Sequence, residues 1–263
     1  MSVATISAPR VTQARVLRSE WIKFRSLRST VWTLLTALVL MIGLGAIFSA
    51  VSASQYRTLD PSFNPVSTSL VGTNLAVIAF GVLGVLMMSG EYGTGMIRST
   101  LTVVPRRLPV LWAKLAVFAA AAFTASLVAS FASFWIGQAL LSGHHLGVSI
   151  TAPGALRSVV GAALFITVAG LLGVALGPLL RTTAAGIATF AGVFFILPPL
   201  ADLLPSSIGS HFTQYLPSNA GSALWGGVQG GHALAPWTGF AVLCGYAVVL
   251  IAAAAWRLRH SDA

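Results

Sequence analysis

Six predominantly apolar runs, each close to the length needed to cross a lipid bilayer, constrain this chain more than anything else in it. They cover residues 31–51, 70–89, 110–137, 156–180, 184–204 and 237–256. A helix needs about 20 consecutive apolar residues to cross the hydrocarbon. Inside lipid the backbone must satisfy its own hydrogen bonds, so each run reads as a helix. The fifth carries Pro198 and Pro199, which predict a bend or break there. Composition agrees: 56% of residues are hydrophobic and only 8% are charged, against about 25% charged in a typical soluble domain.

Six spans place both termini on one side, and the basic residues identify that side. Arg10, Arg15, Arg18, Lys23, Arg25 and Arg28 precede the first span. Arg98, Arg106, Arg107 and Lys114 lie between the second and third, Arg181 follows the fourth, and Arg257 and Arg259 follow the sixth. Only Arg57 and Arg157 fall on the other side, so both ends are expected to be cytoplasmic. This divides the chain into a tail and interfacial helix (1–30), a six-helix transmembrane domain (31–256) and a short cytoplasmic tail (257–263). The first run is too long for a signal sequence and has too long a leader, so it reads as a span that is kept. The net charge of +10 does not indicate nucleic acid, because the positives flank apolar runs rather than clothe a polar domain.

Residues 14–29, ARVLRSEWIKFRSLRS, put Leu17, Trp21, Phe24, Leu27 and Val31 on one side of a helix and most of the basic residues on the other. That pattern predicts a helix lying in the membrane interface. It serves either as an anchor or as a platform for a cytoplasmic partner. Glu20 falls toward the apolar arc, where a carboxylate needs a counter-charge; Lys23, Arg28 and Lys114 are the candidates.

Several chemistries have no residues to support them. The only lysines, Lys23 and Lys114, follow Ile22 and Ala113, so no phosphate-binding P-loop exists. No HExxH or GxSxG pattern occurs. The single cysteine, Cys244, permits no internal disulfide. His144 and His145 are adjacent, and neighbouring residues rarely converge on one metal. Catalytic, cofactor and metal sites on this chain are therefore all expected to be absent. Gly161, Gly170, Gly173 and Gly177 mark one side of the fourth span, for close packing either within the chain or against a second copy.

Residues 90–114, GEYGTGMIRSTLTVVPRRLPVLWAK, hold five of the 20 charged residues. Their Glu91, Gly93 or Gly95, Thr94, Arg98, Leu101, Pro105 and Arg106, with Lys114 opening the next span, resemble the loop after the second span of type-2 ATP-binding cassette permeases, a bacterial exporter-like class. SEWIKFRSLRS (19–29) resembles the interfacial helix of that class, and QYLPSNAGSALW (214–225) its segment before the last span. The resemblance covers essentially the whole chain. It implies an all-α membrane protein with a cytoplasmic coupling helix within residues 90–108 and re-entrant segments within 205–236. Glu91 would sit at the hinge of the coupling helix. Leu17, Glu20, Trp21, Lys23 and Phe24 would brace the same contact. It further implies two copies of a separate ATPase, which would hold the ATP and Mg, and a second permease, identical or different. The setting would be the bacterial plasma membrane. The competing readings are a secondary transporter, which should show midplane polar groups and internal repeats, and a membrane-embedded enzyme.

Overall fold

The structure, a computed structural model, describes residues 12–58, 63–93, 107–203, 212–226 and 234–260. Among these there is helix but no strand. The helices are α1 (Gln13–Ser26), α2 (Arg28–Ser54), α3 (Pro65–Ser69), α4 (Thr73–Gly93), α5 (Arg107–Ser142), α6 (Ala155–Leu180), α7 (Thr183–Ala191), α8 (Leu197–Asp202), α9 (Pro217–Ser222) and α10 (Pro236–His260). Six helices are long and apolar enough to cross a membrane: α2, α4, α5, α6, the α7–α8 unit and α10. They coincide with the six runs in the sequence, and the chain is a multi-pass membrane protein.

The centre of the bundle is α6. Of its most apolar stretch 78% is buried, against 22% for α2, for the α7–α8 unit and for α10. Glycines explain how α6 comes to be central. A methyl group added at Gly173 would collide with the Gly81 carbonyl of α4, and one at Gly84 with the Gly170 carbonyl of α6. A Cβ at Gly177 would stand 2.6 Å from the Met88 Cβ. The two backbones therefore approach to a distance only glycine allows. Of the two readings of this glycine row, packing within the chain is the one observed.

At the end of α2, where the polypeptide leaves the bundle, a polar seam holds the turn. Asn64 caps α3 by accepting from Val66 N at 3.0 Å and Ser67 N at 3.2 Å. Ser133 of α5 donates to the Ser69 carbonyl at 2.6 Å. Buried Gln138 donates to the Pro65 carbonyl (3.0 Å) and to Ser69 Oγ (2.8 Å), and accepts from Val148 N at 2.8 Å. One side chain thus satisfies the loops on both sides of it. Neither α3 nor this seam was expected from the apolar pattern.

Two other local features differ from the sequence reading. The interfacial helix does not run continuously into the first span. It stops at Leu27, which is extended at φ −76 and ψ 110, so Leu27 and Val31 do not share the face of Leu17. The chain must change direction between α1 and the span, and one non-helical residue suffices. The fifth span departs from α-helix slightly before the prolines. Gly192–Ile196 forms a π-helical segment between α7 and α8. Pro198 has no N–H and its ring crowds the preceding turn, so a wider turn there relieves it.

Candidate functional site

Four charged side chains meet where α1, α4 and α5 come together. Lys114 lies in the second turn of α5, and only 2% of its side chain is exposed. Its ammonium is 2.7 Å from Glu20 Oε2 of α1 and 2.8 Å from Glu91 Oε1 of α4. Its third proton points at the Met87 carbonyl, 3.4 Å away. Lys23 closes the cluster, 3.0 Å from Glu20 Oε1 and 3.2 Å from Glu91 Oε1.

Local sequence places each member. Glu20 and Lys23 are three apart on α1 and share a face. Glu91 occupies the last turn of α4, two residues before this described stretch ends at Gly93. The packed side of α1 is centred on Val16 and Glu20, both buried. Val16 and the half-buried Leu17 pack against Val110 and Ala113 of α5, and Phe24 is half-buried against the main core. Trp21 and Ile22 face outward. The side that docks is thus turned toward the carboxylate rather than centred on the apolar arc. An unpaired carboxylate inside a bundle costs far more than leaving one tryptophan at the surface.

Two carboxylates and two ammoniums make the cluster neutral, so no net charge is buried. Desolvation pushes the Lys23 ammonium down, but its hydrogen bond to Glu20 and the charge of Glu91 outweigh this and hold its pKa above the ordinary lysine value. Both Glu20 oxygens are used, whereas Glu91 accepts twice on Oε1 and leaves Oε2 buried without a hydrogen-bond partner.

Further contacts gather other helix ends here. Ser89 Oγ and Thr183 Oγ1 are 2.9 Å apart, joining α4 to the start of α7. Arg181, a left-handed cap on α6 (φ 60), lies over the Tyr92 ring, 5.9 Å from its centroid. Arg257 of α10 donates to the Leu179 carbonyl. The end of α4, the start of α5, the ends of α6 and α10, and α1 therefore lie at one end of the bundle. Arg57, just past α2, and Arg157, in the first turn of α6, belong to the opposite end.

Of the residues the sequence singled out, the structure brings together Glu20, Lys23, Glu91 and Lys114. Leu17 and Phe24 flank them, and Trp21 stands outside. Gly95, Arg98, Leu101, Pro105 and Arg106 lie outside the described residues. So do parts of the segment between the last two spans, in which α9 is described and packs on α10. Thr183, Tyr92 and Arg257 were not anticipated. The signal for them was faint: a hydroxyl, an aromatic ring or a base one turn from a helix end. Among the described residues no group of histidine, cysteine or carboxylate side chains could hold a metal ion. Compared with models of protein families and with curated proteins, the sequence matches none.

Proposed function

We propose that this chain is the permease subunit of a bacterial ATP-driven transporter of the type-2 ATP-binding cassette class. In this reading it lies in the plasma membrane with both termini cytoplasmic. It pairs with a second permease, identical or different, and exports a hydrophobic or amphipathic compound by alternating access. Two copies of a separate ATPase supply the energy. The segment before the last span, including α9, closes the outer side.

The supporting observation is the four-charge cluster. It clamps α1 to the two helix ends that flank residues 94–106, where the resemblance puts the coupling helix. A push delivered to that segment reaches the end of α4 and the start of α5 directly, and α1 moves with them. Coupling of this kind requires the partner's two nucleotide states to differ in their contacts with this chain. The gathering of most described basic residues at the cluster's end of the bundle supports a cytoplasmic location for it.

Gentle detergent purification from native membranes, with cross-linking, tests the proposal. A stoichiometric soluble protein carrying a P-loop is the expected companion. Recovery of the chain without any ATPase after cross-linking overturns the reading and brings the secondary-transporter alternative forward.

A further inference from the structure

Beside the clamp, an open groove of about 320 Å³ runs between α1 and α5, lined by Leu17, Arg18, Trp21, Ala116, Val117 and Ala120. Its floor on α5 is made of small side chains. Ala116 and Ala120 are exposed and one turn apart, so nothing from α5 fills the space beside Leu17 and Trp21. Trp112 lies one turn before Ala116 on the same face and is exposed, as Trp21 is. Exposed tryptophans beside an apolar groove are characteristic of the interface between headgroups and hydrocarbon. Between Ala116 and Ala120 the trough follows one turn of α5, about 6 Å at the helical rise. That length suits the upper part of an acyl chain.

Charge decides which lipid fits. The carboxylate of α1 is consumed inside the bundle, where Glu20 pairs with Lys114 and Lys23. The outward side of α1 keeps positive charge: Arg18 at the rim of the groove, with Arg25 and Arg28 exposed beyond it. Arg18 takes no part in the clamp. An arginine at the headgroup level above an apolar trough matches a phosphate carrying net negative charge. We infer that the α1–α5 groove is a binding site for an anionic phospholipid, its headgroup on Arg18 and Trp21 and one acyl chain along Ala116 and Ala120. This site does not depend on the transport reading.

The test uses the full chain, delipidated in detergent and titrated with phosphatidylglycerol or phosphatidylcholine of identical acyl chains. Bound lipids are counted by native mass spectrometry. The wild-type chain should retain phosphatidylglycerol preferentially. Arg18→Gln should lower that preference about fivefold, and Arg259→Gln, removing a charge elsewhere, should not. Ala120→Phe, which fills the trough, should lower retention of both lipids. Equal retention of the two lipids by the wild type overturns the site, as does equal behaviour of the two arginine variants or full retention by Ala120→Phe. If Arg18→Gln leaves lipid retention intact but strips a co-purifying soluble protein, the surface docks a protein and the lipid assignment is wrong.

Discussion

Lys114 shows how one side chain ties a fold together and what its removal leaves behind. Breaking a buried pair strands the other charge, at about 3–5 kcal/mol. Lys114→Met should therefore lower the unfolding midpoint sharply in a detergent thermal melt. Adding Glu20→Gln to it should recover part of the loss, because the stranded carboxylate is gone. If the double variant is as unstable as the sum of the two singles, the pair is not coupled as drawn. Lys23 gives a pH dependence with a definite sign. Its pKa is raised on folding, so its contribution is fully present below the ordinary lysine value and fades as pH rises through the higher folded value. Release of α1 from the bundle, followed by limited proteolysis at its arginines, should thus be flat across neutral pH and increase only above about pH 10.4. An increase already near pH 8 contradicts the assignment. The partnership of Glu20 was legible in the sequence, because a carboxylate in an apolar arc demands a base. Which of three bases would answer was not, because that depends on which helices are neighbours.

The pair α4–α6 makes a separate prediction among the elements. Gly173→Ala introduces a methyl where the Gly81 carbonyl already sits, and overpacking of this kind costs about 1–3 kcal/mol. Gly245→Ala in α10, where nothing lies within 4 Å, should be silent in the same thermal melt. Equal effects would mean that the close approach of the two helices is not a packing constraint. The six spans could be read from the chain because lipid allows so few backbone solutions. The short helix α3, the Gln138 staple and the stop at Leu27 could not. Each depends on a hydrogen bond or a change of direction that apolar periodicity does not encode.

For the whole molecule, the clamp and the transport proposal make a joint prediction. Glu91→Gln should keep the chain folded in the membrane but lower substrate export by about fivefold or more, within the range of a typical coupling energy. ATP turnover by the partner should lose its response to substrate. Normal export at wild-type abundance would remove Glu91 from the coupling role. The density of charge already drew attention to the second-to-third span boundary in the sequence. What it did not convey is that Lys23 of α1 also reaches Glu91, 68 residues later in the chain.

The π-helical segment in the fifth span has a consequence for register. A π turn is an α turn with one residue inserted. Wound as a continuous α-helix with no residue removed, Gly192–Ile196 would over-rotate by about one residue, and everything after it would turn by about 100°. Leu197, Leu200 and Leu203, now exposed, would then point to a different sector of the bundle. The span therefore carries a built-in phase shift: its two halves offer outward surfaces that no continuous α-helix of this sequence could present together.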